Sequence, residues 1–441
     1  MVAPNTDTVS DEDLDTGLRA RAGRVYWGYW LVGAAFLASW ITTSAQNSVF
    51  GAFSRPMTQE LHWAQSEFIL ARTLGQFVMA FTGLFIGTYV DRHGGRRLMT
   101  TGTIIMTAAM FLGSFVTELW QWWLLNGLIL TAGAAMSGTL VVNVTLSKWF
   151  VERRARVAGV ASMGVAFSGA LMPPVATALI EAEGWRMAWR LLALGTLAIG
   201  LPLTLLIRRT PEDYGLHPDG RSNAQVAAGA GRTATHDFDT SLTRGEAIRT
   251  SSFYLIVAGF GLGTLSISIM ILQTIPYLTS TGYGAVFGAS MITVTSIPSM
   301  LTKPFWGWMG DRTDPTRSAI LGFMTNAVAL VIIVFAVRAH ADWWVIGGFF
   351  LLGFGWGGLI PLQETVWASF FGRRYLGAVR SAGLPFALLI GASGPFLISY
   401  YYDRTHSYDG AFLTVAALAV VATVLLLFAK KPVARRGLAE G

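Results

Sequence analysis

The sequence contains no cysteine and few charged residues. Without cysteine, disulfide bonds, thiolate metal ligands and thiol catalysis are excluded, and the redox compartment stays open. Only 13% of the 441 residues are charged, whereas about 25% is typical of a soluble domain. Hydrophobic residues make up 53% of the chain, and the mean hydropathy is +0.50. These values indicate an integral membrane protein whose main solvent is the bilayer.

Residues that usually carry enzymatic chemistry are also scarce in the apolar stretches. All six histidines fall outside these stretches or at their edges. The sequence shows no histidine–carboxylate metal cluster, no phosphate-binding glycine loop and no nucleophile–base pair at membrane depth. We therefore expect no enzyme activity, no bound metal and no cofactor.

Long apolar stretches are abundant, and about twelve have the length of roughly 20 residues that crosses a bilayer. The predicted spans are 26–50, 67–90, 98–117, 121–147, 156–180, 187–207, 252–279, 285–309, 318–337, 343–370, 376–401 and 410–429. A hydrophilic stretch at 209–250 separates the first six from the last six. The predicted fold is an all-α membrane protein with twelve transmembrane helices in two pseudo-symmetric six-helix bundles, 26–208 and 251–430.

The net charge of +7 is distributed unevenly along the chain. Short loops on one side of the predicted membrane hold most of the loop arginines, including Arg153 and Arg154. By the positive-inside rule this side is cytoplasmic, and so are the tails 1–25 and 431–441 and the loop 209–250. Residues 1–25 lack an apolar stretch behind a basic start, so no cleavable signal peptide is predicted. The basic charge indicates topology in the inner (plasma) membrane and not nucleic-acid binding.

One charged turn occurs twice. Residues 87–97, which include Asp91, follow one apolar segment, and residues 307–317, which include Asp311, follow another about 220 positions later. A second pair of segments, 149–154 and 370–374, matches at nearly the same offset. Matched landmarks in the same order indicate a parallel duplication of a helical membrane unit.

The Asp-Arg-x-Gly-x-Arg-Arg turn at 91–97 resembles the signature loop of the major facilitator superfamily, and 311–317 resembles its weaker second copy. The resemblance covers residues 26–430. More narrowly, the chain resembles the bacterial monocarboxylate transporter branch with its oxalate/formate relatives. The residues that carry this narrower resemblance are Lys148-Trp149-Phe150, Arg153-Arg154, Gly159, Gly164, Gly169, Pro173-Pro174, Gly184-Trp185-Arg186 and the segment 209–216.

Both charged turns place a carboxylate and guanidinium groups at a helix end, where they can bridge to neighbouring helices. The resemblance implies a conformational latch for one access state. A basic loop that only fixes topology is the alternative. The predicted latch residues are Asp91, Arg92, Arg96, Arg97, Asp311 and Arg312.

Two charges lie deep inside predicted spans, where an ionised group is costly and needs a partner or a purpose. Lys303 precedes Asp311 by eight residues and Glu364 precedes Arg373 by nine, so both lie about 12–13 Å along a helix from the membrane surface. Half the hydrocarbon thickness is roughly 15 Å, which puts both near the midplane.

The resemblance implies a role for Lys303. Branch members typically carry a basic residue directly before a proline in span eight, and here Lys303 precedes Pro304. Lys303 would then face the carboxylate of a substrate anion, although snorkelling towards the cytoplasm is the alternative. Many members have an aspartate four residues earlier, where this chain has Ser299, so proton coupling through that position is not implied.

Glu364 is the predicted substitute for proton coupling, because burial raises the proton affinity of a carboxylate. Its alternative role is that of a structural partner for Lys303 or Arg380. Asn47, Asn143 and Tyr277 are predicted to line the substrate cavity, although interhelical hydrogen bonding is the commoner role of such residues.

Together these features predict a secondary transporter that moves a small organic anion, a monocarboxylate, with H+ symport by alternating access. We expect it to function as a monomer in the lipid bilayer. Carboxylate exchange of the oxalate–formate type is the first alternative. A membrane sensor on a transporter scaffold is an alternative of another class.

Overall fold

The computed structural model describes residues 26–222, 225–226, 237–405 and 407–432. The predicted tail 1–25, most of the predicted tail 431–441, and residues 223–224 and 227–236 of the predicted loop lie outside the described residues. Throughout the described part the ordered elements are helices, and none of these residues forms a strand.

The helices before the hydrophilic loop are numbered α1 to α8. They are α1 Trp27–Thr43, α2 Phe50–Leu61, α3 Gln65–His93, α4 Arg96–Gly113, α5 Leu119–Trp122, α6 Thr131–Ser137, α7 Thr139–Trp149 and α8 Arg154–Leu206. Two π-helical segments, Ser44–Ser48 and Trp123–Leu130, join α1 to α2 and α5 to α6.

The remaining helices are numbered α9 to α17. They are α9 Arg244–Ala247, α10 Ser251–Ser280, α11 Ala285–Leu301, α12 Lys303–Arg312, α13 Pro315–Arg338, α14 Asp342–Phe371, α15 Leu376–Ala382, α16 Leu384–Thr405 and α17 Asp409–Phe428. Short 3-10 turns at Glu212–Tyr214 and Pro218–Gly220 shape the first part of the loop after α8.

Seven helical stretches in the described part of the chain are long and apolar enough to cross a membrane, by length and composition alone. One of them, α8, has 53 residues and includes a sharp turn at Gly184, whose φ of 76° and ψ of 161° are not helical. It therefore contains the predicted span 156–180 and all but the last residue of the predicted span 187–207. Predicted spans 285–309 and 376–401 are interrupted, at Thr302 and Gly383 respectively. The count of twelve spans stays a prediction.

Close packing of the helices depends on small residues, which let backbones approach where lipid offers no hydrophobic driving force. A Cβ atom on Gly164 of α8 would overlap the Phe36 carbonyl oxygen of α1 and lie 3.0 Å from the Trp40 nitrogen. On α14, a Cβ on Gly353 would overlap the Thr295 carbonyl oxygen of α11. Glycine at these positions therefore fixes how closely α1 lies to α8 and α11 to α14.

Replacement of Gly164 with alanine is expected to destabilise the protein. The added methyl group must push α1 and α8 apart, and overpacking of this kind costs about 1–3 kcal/mol. Gly169→Ala is the matched control, since a Cβ on Gly169 of the same helix meets nothing within 4 Å. Thermal unfolding in detergent should show a lower Tm for Gly164→Ala alone. Equal Tm values for the two variants would contradict the close approach.

Candidate functional site

Lys303 lies where the helix of predicted span eight is interrupted. It begins α12 directly after Thr302, and Pro304 occupies the first turn. The Thr302 hydroxyl donates to the Pro298 carbonyl at 2.7 Å, and Trp306 Nε1 donates to the Phe354 carbonyl of α14 at 2.7 Å. These bonds satisfy backbone oxygens and fix the start of α12 against α14.

The Lys303 side chain is buried and has no countercharge in the described part of the protein. Only 4% of its surface is exposed, and no described carboxylate lies within 4.0 Å of its ammonium group. The backbone here is also enclosed, because a Cβ on Gly159 of α8 would lie 2.8 Å from the Lys303 carbonyl oxygen. A buried ammonium without a partner is unfavourable, so this site is suited to receiving an anion.

Glu364 pairs with Arg380 and not with Lys303 in this structure. The Arg380 Nε and NH2 groups each donate to Glu364 Oε1 at 3.3 Å. Both residues are buried, at 6% and 8% exposure. The Arg380 guanidinium also lies over the Trp367 ring, 5.5 Å from its centroid. Of its two predicted structural partners, Glu364 therefore binds Arg380 in this structure.

The three neutral residues predicted to line the cavity have different surroundings. Asn143 of α7 is buried at 5% exposure, and its side chain makes no hydrogen bond to a described residue. Asn47 is half-buried in the π-helical segment Ser44–Ser48. Tyr277 is fully buried in α10, and its hydroxyl donates to Asp409 Oδ1 at 3.1 Å. Asn143 thus has free hydrogen-bonding capacity within the described chain, whereas the Tyr277 hydroxyl is engaged.

The π-helical segment around Asn47 is tied to α8. Ser44 and Ser48 both bond the Ser168 hydroxyl, at 2.8 and 2.7 Å. A π-helical turn widens the helix and re-aims side chains, and such turns are frequent at functional sites. The segment therefore holds Asn47 in a local geometry that a regular helix would not give.

Asp91 connects the first half of the chain to the second. Its Oδ1 lies 2.9 Å from Lys148 Nζ, and its carboxylate accepts the backbone N–H groups of Gly377 at 3.2 Å and Ala378 at 2.8 Å. Gly377 and Ala378 form the first turn of α15. A Cβ on Gly87 would overlap the Gly377 carbonyl oxygen, so α3 and α15 touch backbone to backbone.

Asp311 makes the mirrored contact, from the second half of the chain to the first. It accepts the backbone N–H groups of Ala155 at 2.8 Å and Arg156 at 3.2 Å, and Arg156 Nε at 2.9 Å. A Cβ on Gly307 would lie 2.6 Å from the Ala155 carbonyl oxygen. Each carboxylate thus binds the N-terminus of a helix in the opposite half, where the helix dipole favours negative charge. We call the end of the molecule that holds both contacts the latch end.

The arginines of the predicted latch do not take part in these contacts. Their side chains are exposed, and none has a carboxylate within 4.0 Å among the described residues. Arg312 instead lies over the Trp308 ring at 4.7 Å from its centroid. This group comprises Arg92, Arg96, Arg97 and Arg312. Of the six predicted latch residues, only Asp91 and Asp311 therefore form hydrogen bonds between the two halves of the described chain.

Sequence reasoning gave no role to Lys148, which neutralises Asp91, or to Arg156, which binds Asp311. Lys148 ends α7 and is buried at 3% exposure. A buried lysine near a buried aspartate is a strong pairing signal, but the two residues lie 57 positions apart on different helices. The doubled motif shows that the acids are equivalent without showing what they bind.

Comparison with known proteins matches this architecture. A family model described as Major Facilitator Superfamily matches residues 35–383 and 266–441. Monocarboxylate transporter 13 of Bos taurus is 24% identical over 409 residues, covering 91% of this chain and 89% of that protein. The oxalate:formate antiporter of Oxalobacter formigenes is 22% identical over 383 residues, covering 85% of each chain.

A solved structure shows the same fold at low sequence identity. The proton:xylose symporter XylE aligns with a TM-score of 0.72 and 12% identity, covering 92% of this chain and 96% of that one. These relatives and neighbours are transporters and not enzymes. The resemblance predicted from the charged turns is confirmed: the chain belongs to the Major Facilitator Superfamily, and it is a multi-pass membrane transporter related to monocarboxylate transporters and the oxalate:formate antiporter.

Proposed function

We propose that this protein is a secondary transporter that moves a small organic anion, a monocarboxylate, together with H+ by alternating access. The observation that carries the proposal is the buried Lys303 ammonium, which has no described carboxylate within 4.0 Å. A substrate carboxylate would supply the missing countercharge and form a charge-assisted hydrogen bond in a medium of low dielectric constant. A single unpaired cation matches a single negative charge.

We also assign two neutral polar residues to the proposed site. Asn143, which has no described hydrogen-bond partner, and Asn47 in the π-helical segment are the proposed cavity-lining residues. Tyr277 does not contact the substrate directly in this proposal, because its hydroxyl donates to Asp409. The relatives support this chemistry through their names, which refer to monocarboxylate and to oxalate and formate.

Alternating access needs an end that closes and reopens. The mirrored contacts of Asp91 and Asp311 support such a role for the latch end, because each joins one half of the chain to the other. We propose that these contacts hold the latch end shut in one access state and break in the other. By the positive-inside rule we propose that this end and both termini lie in the cytoplasm. We further propose that the protein functions as a monomer in the inner membrane.

Glu364 is the proposed proton site. It is the carboxylate well inside an apolar helix, and its only described ion partner is Arg380. Protonation would break that pair and allow α14 and α15 to move relative to each other. Each inward step would then carry one proton with one monocarboxylate.

Proton coupling predicts uptake driven by a pH gradient. In proteoliposomes with an acidic exterior, a gradient of one pH unit should support accumulation of about tenfold for one proton per anion. Liposomes without protein correct for diffusion of the neutral acid. A panel of labelled mono- and dicarboxylates identifies the substrate class. Uptake that ignores the gradient for every carboxylate would rule out symport.

Glu364→Gln tests the proton site directly. The variant should equilibrate substrate but lose accumulation driven by the gradient. The double variant Glu364→Gln with Arg380→Gln removes both charges of the pair, so it separates coupling from simple loss of an ion pair. If the double variant regains accumulation with normal pH dependence, Glu364 is only a structural partner of Arg380.

Exchange of carboxylates is the second candidate, favoured by the similarity to an oxalate:formate antiporter. A dianion would need a second cation, and the buried Arg380 is already neutralised by Glu364. Proteoliposomes preloaded with unlabelled oxalate distinguish the two modes. Uptake of label that requires internal anion, at any pH gradient, would establish exchange in place of symport.

A further inference from the structure

The latch end contains a cavity of about 660 Å³ that the transport cycle proposed above does not use. It lies between the ends of α3 and α7, the start of the loop after α8, residues 238–245, and the turn between α14 and α15. Its lining is strongly basic, with Arg92, Lys148, Arg209, Arg244, Arg373 and Arg374. The volume is in the range of 300–1,000 Å³ that is typical of small-molecule sites.

Most of this positive charge is not neutralised. Among the described residues, no carboxylate lies within 4.0 Å of Arg92, Arg209, Arg244 or Arg374. The one carboxylate in the lining, Asp91, is already bound to Lys148 and to two backbone N–H groups. Four guanidinium groups therefore face a shared space without a described countercharge.

Arg373 differs from the other arginines of the lining. Arg373 is buried at 5% exposure. Its NH1 donates to the Lys148 carbonyl at 3.1 Å and its NH2 to Glu212 Oε1 at 2.6 Å. Its Nε is fully buried and has no hydrogen-bond partner in the described structure. Because Nε is shielded from solvent and NH1 and NH2 are engaged, Arg373 forms a fixed wall of the cavity, and the four arginines without a described carboxylate supply the free N–H donors.

The guanidinium planes here are held in position by an aromatic ring. Arg373 and Arg374 lie over Phe238 from the loop, at 5.2 and 5.0 Å from its centroid. Stacking of this kind fixes the planes of both guanidinium groups, and it leaves the N–H edges of Arg374 available, which suits bidentate recognition of phosphate. The site is therefore organised before any ligand enters.

We propose that this cavity binds a soluble anion with several phosphate groups and that the bound anion holds the two halves of the transporter together at the latch end. A single phosphate would neutralise only part of the positive charge of the four unpaired guanidinium groups, whereas a polyphosphate chain can contact all four. Arg92 comes from the first bundle and Arg374 from the second, whereas Arg209 and Arg244 lie in the loop 209–250 that joins the two bundles. Bridging them favours the state in which the latch end is closed.

The effect on transport rests on the function proposed above, but binding does not, so the test measures binding directly. Inorganic triphosphate is titrated calorimetrically into the purified protein in uncharged detergent, at constant ionic strength and without a carboxylate substrate. We expect saturable binding of one triphosphate per protein. Absence of saturable binding would overturn the proposal while leaving the transport hypothesis untouched.

Two double variants distinguish a specific binding site from nonspecific attraction by surface positive charge. Arg244→Gln with Arg374→Gln should raise the Kd about tenfold or more, because two charged hydrogen-bond donors to the triphosphate are lost. Arg249→Gln with Arg317→Gln removes the same charge from two exposed arginines outside the lining. This control should change Kd less than twofold. An equal loss in both double variants would overturn the proposal.

A lipid headgroup carries the same phosphate chemistry, and the titration distinguishes the two sources. The protein is placed in nanodiscs of phosphatidylcholine alone and in nanodiscs that also contain phosphatidic acid. If the site takes a soluble ligand, triphosphate should bind in both kinds of nanodisc. If phosphatidic acid abolishes triphosphate binding, the cavity belongs to a lipid headgroup and the soluble-anion proposal fails.

Discussion

Replacing Lys303 with glutamine is expected to abolish measurable carboxylate accumulation. Loss of a buried charged partner typically costs about 2–5 kcal/mol of binding, which raises the half-saturating substrate concentration about thirtyfold or more. The effect is large because no other described cation shares the position, and Arg380 is held by Glu364. Uptake of the labelled carboxylate chosen from the panel measures the loss.

The stability of the unliganded protein should change in the opposite direction. Lys303 is buried without a described countercharge, so an apolar side chain of similar length removes an unfavourable term. Lys303→Met should therefore raise the Tm while transport is lost, which separates a binding defect from misfolding. A lower Tm together with lost transport would indicate that the ammonium has a structural partner.

Two further variants complete this test. Lys303→Arg keeps the positive charge that the family resemblance implies at this position, and it should retain transport of the same substrates. Lys431→Gln removes an exposed lysine three residues after the end of α17, and it should leave uptake unchanged. Normal uptake by Lys303→Gln would refute the proposed substrate site.

Replacing Asp91 and Asp311 together with asparagine is expected to open the latch end. Hydrogen bonds to a charged acceptor contribute about 1.5–3 kcal/mol each, and each carboxylate accepts at least two backbone N–H groups. Loss of one such bond on each side amounts to about 3–6 kcal/mol, which shifts a two-state equilibrium by a factor of roughly 10² to 10⁴. Asp91→Asn also leaves Lys148 buried without its partner.

A single cysteine reports this opening, because the natural chain has none. Ser381→Cys places a thiol of similar size on α15, where the native side chain has no exposed surface and lies beside Gly87. Maleimide labelling from the latch side should be at least tenfold faster when both acids are replaced. Single replacements should give intermediate rates.

The control replaces an aspartate at the other end of the molecule. Asp409 binds Arg338 Nε at 2.6 Å and the Tyr277 hydroxyl, so Asp409→Asn breaks an ion pair without touching the latch. Labelling of Ser381→Cys in that background should match the parent. If the Asp91/Asp311 double variant also matches the parent, the mirrored contacts do not control access.

The apolar stretches predict where helices lie because composition and length depend on local sequence. Contacts between segments that are far apart in the sequence do not depend on local sequence, so the partners of the site residues could not be predicted in this way. The predicted partners of Glu364 were Lys303 and Arg380, and only the packing of α14 on α15 selects the arginine. Likewise, Asp91 binds backbone 286 positions away, which no periodic pattern encodes.

Rotation about a helix axis is the other quantity that sequence left undetermined. Tyr277 and Asn143 are both polar residues in apolar helices, and composition cannot say which neighbours they face. Tyr277 meets Asp409 of α17, whereas Asn143 has no described partner. The breaks at Thr302 and Gly383 were missed for a related reason. A continuous apolar run looks the same whether its helix is whole or interrupted by backbone contacts with a neighbour.

The ten residues of α12 carry two groups with different tasks, Lys303 at one end and Asp311 at the other. The same helix, α8, presses on both, through Gly159 at the Lys303 carbonyl and through Ala155 at Asp311. We expect a helix of ten residues to move as one rigid body. A rotation of α12 that turns the Lys303 ammonium towards a bound anion would then also disturb the hydrogen bonds of Asp311 to α8. In the proposed transport cycle, an anion that binds Lys303 would therefore act directly on the Asp311 contact at the latch end, through α12 itself.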